Sequence, residues 1–242
     1  MSYSDDGFTI VRNVIDSDLM GSVREMIEDQ VGDIDDGYQS VDKDDHSIIA
    51  QMYETLRHST QLNSIIYSPA VLSEIEKINR KCNYLLYHVC RMDPPTDERF
   101  TYGWHQQSYY SVYEADEIQL WAPLFRRNTK DMGTISVLRG SHEVEIPHTI
   151  EATEGGHTQM HVPPDRIDGD FEEIHIEIDA GDILLFHPVL LHRSNVNISQ
   201  MVRYSLVASY VDWTDSRFRI TTPEDRLQYH RDRCRPSRAL TC

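Results

Sequence analysis

The sequence predicts a mainly β, α+β chain: a double-stranded β-helix (jelly-roll, cupin-like) barrel buttressed by N-terminal helices. Two observations lead there. Helical periodicity is confined to roughly residues 16–80, and after Lys81 short segments rich in aromatic and β-branched residues follow one another, separated by Pro, Asp or Gly. The 242 residues fit one domain, with a helical buttress at roughly 16–80, a barrel core at roughly 82–212 and a lid at 147–172.

Taken in order, GFTIVRNVI (7–15) has strand character, and Asp16 or Ser17 caps a helix whose apolar positions are Leu19, Met20, Val23, Met26 and Ile27. An acidic, polar loop follows from Asp33 to Asp45 and contains Asp35 and Asp36. Ile48, Ile49, Met52, Tyr53 and Leu56 predict a second helix. Ser68 and Pro69 start a third, carrying Val71, Leu72, Ile75 and Ile78, and the three are expected to brace one sheet. Strands are expected within 82–92, 100–113, 117–125 and 134–140. Residues 147–172 show no period and read as a long excursion or lid. Strands resume within 174–178, 183–187 and 201–211, with a turn at Gly181 and Asp182. The tail from Thr222 reads as a short helix or a frayed end.

Hydrophobic residues make up 39% and charged residues 26%, which excludes a collagen-like or wholly disordered chain. Lys and Arg number 23 against 40 Asp and Glu, a net charge of −17, so the reading is no nucleic-acid partner and no membrane partner. The start, MSYSDDGF, lacks a secretory pattern and no apolar run approaches a bilayer span, which makes the cytoplasm the expected compartment. Cys82, Cys90, Cys234 and Cys242 match neither redox nor zinc spacing and read as free thiols. The sequon at Asn197 is read as an accident of composition.

His105 and His192 lie at strand ends 87 residues apart. In a two-sheet barrel that separation can bring side chains of opposing sheets face to face in the mouth, where imidazoles bind a divalent metal; the alternative is a pair of structural or exposed histidines. Arg203 and Ser205 share one face of a strand downstream of His192. If the chain turns at Asn195 to Ser199 and runs back antiparallel, Arg203 enters the barrel deeper than His192. There a guanidinium takes a carboxylate through two parallel hydrogen bonds, with Ser205 adding a third, and a dicarboxylate cosubstrate fits; the alternative is an ion pair with one of the chain's own acids.

Four segments carry a resemblance: Trp104 to Gln106 (WHQ), Gly133 to His142 (GTISVLRGSH), Gly181 to His192 (GDILLFHPVLLH), and Arg203. With the strand and helix at Gly7 to Gln30, the chain from about residue 7 to 212 resembles the phytanoyl-CoA dioxygenase family of iron(II)- and 2-oxoglutarate-dependent oxygenases. The resemblance implies His105 and His192 as Fe(II) ligands, Arg203 on the distal carboxylate of 2-oxoglutarate, and Trp121 packed beside the cosubstrate. His187 competes for the second ligand position, which the family pattern gives to His192, and His142 in the GSH turn reads as structural or as a support behind a ligand.

The family motif is His-x-Asp, and here its third position is Gln107. Three readings stay open: an amide-oxygen ligand, a two-histidine site with the third position filled from solution while Gln107 hydrogen-bonds nearby, or a member that has lost redox chemistry. The implied function is an Fe(II)/2-oxoglutarate-dependent dioxygenase hydroxylating a small-molecule substrate; the alternative is a non-catalytic metal- or 2-oxoglutarate-binding member. A cupin-like isomerase or hydrolase would have no use for Arg203. Tyr102, Trp104, Tyr109, Tyr110 and Tyr113 are candidate entrance residues, Arg126, Arg127 and Lys130 a candidate basic patch, and Gly155, Gly156, His157 and His161 belong to the lid.

Overall fold

Alternation along the long strands decides the architecture, because it gives one sheet two unlike faces. The computed structural model describes residues 2–34, 59–79, 83–96, 98, 101–110, 116–152, 158–218 and 235–236. A one-turn helix α1 (Tyr3–Asp6) ends at Gly7, whose φ of 82° suits a residue without a side chain, and leads into β1 (Phe8–Val11). Helix α2 (Ser17–Val31) is capped by the Asp16 carboxylate, which accepts from the Asp18 and Leu19 amides. Helices α3 (Thr60–Ile66) and α4 (Pro69–Ile78) are capped by the Ser59 and Ser68 hydroxyls. Helix α3 was not anticipated; the helix expected at Ile48 to Leu56 lies outside the described residues, as do Asp35 and Asp36.

The strands are β2 (Asn83–Asp93), β3 (Tyr102–His105), β4 (Glu117–Pro123), β5 (Ile135–Leu138), β6 (Thr149–Ala152), β7 (Thr158–His161), β8 (Glu173–His175), β9 (Ile183–Phe186), β10 (His192–Ser194), β11 (Arg203–Asp212) and the two-residue β12 (Arg235–Pro236). A five-stranded sheet runs β1-β9-β4-β11-β2 and a four-stranded sheet runs β3-β10-β5-β8. All pairings within these two sheets are antiparallel.

On β11, Tyr204, Leu206, Ala208 and Tyr210 face the helices, packing in one core with Val23, Ile27, Leu62 and Ile75. Tyr204 and Tyr210 also donate their hydroxyls to the carbonyls of Ile34 and Ile66, tying sheet to helices. Arg203, Ser205, Val207 and Ser209 take the opposite face. There the apolar part, with Phe8, Trp121, Leu184 and Phe186, packs on Ile135 and Val137 of the smaller sheet. Burying each such side chain contributes about 1.5–3 kcal/mol, so the two sheets close on an apolar floor and leave polar residues in the remaining interior.

Two expectations are corrected here. Residues 147–172 contain the antiparallel pair β6–β7, and β12 pairs with β6 in parallel. Four-residue strands are too short to display a period, which is why none was visible. Second, His192 does not simply follow a strand but opens one of its own, β10, pairing with β3 in the same sheet, so His105 and His192 are neighbours rather than residues of opposing sheets. It is β11, carrying Arg203, that lies in the opposing sheet; no β10–β11 hairpin forms between them.

Cys90 is buried with a free thiol, and burial pushes its pKa up to about 12; Cys82, Cys234 and Cys242 lie outside the described residues. Asn197 is buried, donates to the carbonyls of Asp93 and Met201 and accepts from Ser199, so its amide is committed to a turn. Among the described residues no helix is long and apolar enough to cross a membrane.

Candidate active site

Register places the two histidines. His105 ends β3 and His192 begins β10, and the antiparallel ladder sets them directly opposite, with ring centroids 4.1 Å apart. Each donates its Nδ1 proton to a backbone carbonyl two residues earlier: His105 to Gly103 at 2.8 Å, His192 to Leu190 at 2.9 Å. A carbonyl only accepts, so each ring carries its lone pair on Nε2, the form that binds a metal. The residues are 7% and 5% exposed. Burial lowers the His105 pKa to about 4, and burial together with His105 holds His192 well below the ordinary value, so both are neutral at pH 7. Phe186 lies edge-on to His192 at 4.8 Å, Tyr110 edge-on to His105 at 5.4 Å, and Tyr102 lies 5.9 Å from His105.

Gln106 anchors the motif. Its backbone amide donates to His148 Nε2 at 2.8 Å, its side-chain nitrogen donates to the carbonyls of Val144 and Val189, and its Oε1 accepts from Ile146. His148, buried and stacked on Tyr109 at 3.7 Å, donates Nδ1 to Ile146. Gln107 then opens a short 3-10 turn and donates Nε2 to the Tyr87 hydroxyl at 3.0 Å. Among the described residues no three His, Cys, Asp or Glu side chains form a group able to hold a metal.

Arg203 is 2% exposed and donates Nε and Nη2 to one oxygen of Asp93, at 3.1 and 2.7 Å. Arg91 donates to the other oxygen at 2.6 Å and lies over the Tyr102 ring at 5.0 Å. Burial pushes the Asp93 carboxyl up, but the charges of Arg203 and Arg91 outweigh it and hold the group below the ordinary carboxylate range. The ion pair with the chain's own acid is therefore present, and two guanidiniums share one carboxylate. Ser205, one alternation from Arg203 and opposite Arg91 in the register, keeps a buried Oγ that has no hydrogen-bond partner among the described residues. Trp121 lies on the inward face of β4, paired with Val207 and Leu184 and 5% exposed.

His187 packs on Tyr3 and His142 below the N-terminal turn and accepts from the Val189 amide, while His142 donates to the Ser4 carbonyl; both serve the N-terminal segment. Of the aromatics read as candidate entrance residues, Trp104 carries Arg193 on its ring face at 4.6 Å, and Tyr110 bonds both the amide and the carbonyl of Met160 on β7. Tyr113, Gly155, Gly156 and His157 lie outside the described residues; His161 is the end of β7, and Arg127 is paired with Asp179.

The sequence reading missed Tyr87, Arg91 and Asp93, which alternate along β2 on the face opposite Cys90 and Met92. The period-two signal was present in YHVCRMD. It also missed Glu117, Gln119, Gln106 and His148, whose roles depend on tertiary hydrogen bonds.

Two antiparallel sheets closing around a pair of histidines on adjacent strands define a jelly-roll barrel with a histidine pair inside it. The phytanoyl-CoA dioxygenase (PhyH) model matches residues 3–205, and the chain belongs to this family of Fe(II)/2-oxoglutarate oxygenases. It is 27% identical over 151 residues to a probable phytanoyl-CoA dioxygenase of Caenorhabditis elegans, covering 60% of this chain and 48% of that protein. To a 1-deoxypentalenic acid 11-beta-hydroxylase of Streptomyces arenae it is 24% identical over 212 residues, covering 81% and 73%. The chain thus spans about half the length of the first relative and three quarters of the second. In fold it is similar to the epimerase SnoN from nogalamycin biosynthesis, solved with Fe3+, alpha ketoglutarate and nogalamycin RO, at a TM-score of 0.63 and 16% identity over 88% of this chain and 81% of SnoN.

Proposed function

We propose that this chain is an Fe(II)/2-oxoglutarate-dependent dioxygenase that hydroxylates a small-molecule metabolite, with Gln107 standing where the family has an aspartate. The observation that carries the reading is the His105–His192 pair, two buried neutral imidazoles on paired positions whose Nδ1 protons are both committed to carbonyls. That donor set fits a divalent iron. The buried Ser205 Oγ, without a hydrogen-bond partner among the described residues and one alternation from the Arg203 guanidinium, fits the distal carboxylate of a diacid.

In this reading His105, His192 and the Gln107 amide oxygen hold the iron, and Arg203 with Ser205 takes the distal carboxylate while Asp93 keeps the guanidinium fork oriented. Bound iron with 2-oxoglutarate and oxygen supplies the oxidising power, giving a hydroxylated product, succinate and carbon dioxide. The protein's part is aim and exclusion of water. Gly103 and Leu190 fix the ring orientations, Phe186 and Tyr110 wall the histidines, and the Tyr110–Met160 bonds connect that wall to the β6–β7 segment, which serves as lid. An amide carries no charge, so His105, His192 and Gln107 would give a divalent metal no anionic protein ligand, and its retention would depend on the 2-oxoglutarate dianion.

The test is anaerobic addition of Fe(II) and then 2-oxoglutarate, watching for the weak visible charge-transfer band, followed by oxygen and a succinate assay. Band and succinate together support the proposal. A second reading, a binding member without redox turnover, is favoured by the absence of a third His, Cys, Asp or Glu at the site among the described residues; it gives the band without succinate. Neither signal would overturn both.

A further inference from the structure

We propose that Glu117 is a positioning residue for the metal site: through Gln119 and Tyr87 it turns the amide oxygen of Gln107, rather than the nitrogen, toward the iron. The inference rests on the reading of Gln107 as a ligand. Glu117 opens β4 and is 5% exposed. Its Oε1 accepts from Gln119 Nε2 at 2.6 Å and from the Ser209 hydroxyl, and an oxygen that receives two donors is an acceptor-only end to a chain of hydrogen bonds.

Polarity propagates from that end. Gln119 is fully buried and its amide nitrogen is committed to Glu117 and to Ser209 Oγ at 2.9 Å, so its Oε1 faces the Tyr87 hydroxyl and accepts its proton at 3.4 Å, the longest link. A phenol has one proton. Having donated it to Gln119, Tyr87 accepts from Gln107, and the atom of Gln107 that donates is Nε2, at 3.0 Å. The oxygen of the Gln107 amide is then on the branch away from Tyr87.

Strand register makes this arrangement possible. Ser209 on β11 is paired with Gln119 on β4 at one side and Tyr87 on β2 at the other, so three adjacent strands present the chain in one row on the inward face. The orientation decides whether Gln107 is a ligand at all: an amide oxygen offers lone pairs to a cation, whereas an amide nitrogen offers only N–H.

Metal titration of the whole chain, with Co(II) as the probe and its visible absorption as the readout, tests this in the presence of 2-oxoglutarate. Glu117→Gln replaces the acceptor-only end by a group that can donate, and Tyr87→Phe removes the middle link with little change of shape. Each is expected to weaken Co(II) binding about tenfold and to change the Co(II) spectrum, and in a Gln107→Ala background neither is expected to weaken it further. The same loss in the Gln107→Ala background would overturn the inference, because it would mark a general packing effect, and so would unchanged binding in folded single variants. Should Glu117→Gln not fold, Tyr87→Phe alone carries the comparison. Failure of the unmutated chain to bind Co(II) would overturn the iron site itself and this inference with it, whereas wild-type binding that ignores Tyr87→Phe overturns only the Glu117 assignment.

Discussion

Replacing Asp93 by asparagine removes one charge and almost no volume, and it does so between two guanidiniums. Arg203 loses the charged acceptor of its Nε and Nη2 bonds, Arg91 loses its own, and the new amide nitrogen faces a donor on one side. Breaking a buried ion pair from one side costs about 3–5 kcal/mol. For a chain of 242 residues the melting entropy is about 0.5 kcal/mol/K, so a loss of about 4 kcal/mol lowers the midpoint by about 8 °C. Calorimetry or circular dichroism at pH 7 reads the drop. The sign with pH follows from the lowered Asp93 pKa: its contribution is complete above the ordinary carboxylate range and is lost as pH falls through the folded value, so wild type and variant converge only in acid. If Arg203 shares its fork with 2-oxoglutarate, the ligand carboxylate also relieves the stranded charge, and saturating 2-oxoglutarate raises the variant's midpoint more than the wild type's. A midpoint within about 1 °C of wild type, or an equal ligand-induced rise in both, would refute the reasoning.

Gln107→Asp is expected to tighten Fe(II) binding and make retention less dependent on 2-oxoglutarate; unchanged affinity in a metal titration would place this side chain off the metal. Arg203→Ala is expected to weaken 2-oxoglutarate binding by about 2 kcal/mol or more, measured calorimetrically with Fe(II) present, and normal affinity would remove the clamp assignment. The metal-free protein should lose stability as pH falls from about 6.5 toward 4. His105 and His192 are held neutral in the fold while the unfolded chain protonates, a slope of about 1.4 kcal/mol per pH unit for each, and a flat stability profile over that window would contradict their burial as neutral rings.

Element types were largely legible from the sequence because long strands advertise themselves. The strand character of β4 and β11, the shared face of Arg203 and Ser205, and helix starts at Asp16 or Ser17 and at Ser68 follow from residue type alone. Strand partners were not. His105 and His192 were recognised, but placing them in one sheet depends on β10, a three-residue strand too short to show a pattern. Arg203 was read as needing an anion, and composition left open whether a ligand or a protein acid supplies it; Asp93, directly opposite on β2, occupies that position in the fold. Gln107 was visible as a departure from the family motif, while the chain of bonds behind it was not, since Glu117, Gln119 and Tyr87 meet only through the pairing of β4, β11 and β2.

The most direct measurement is a crystal structure of the protein grown anaerobically with Fe(II) and 2-oxoglutarate, with anomalous data collected at the iron edge. One anomalous peak bonded to Nε2 of both His105 and His192 is expected, with the far carboxylate of 2-oxoglutarate on Arg203 and Ser205. An iron peak elsewhere, or none at saturating metal and cosubstrate, would contradict it.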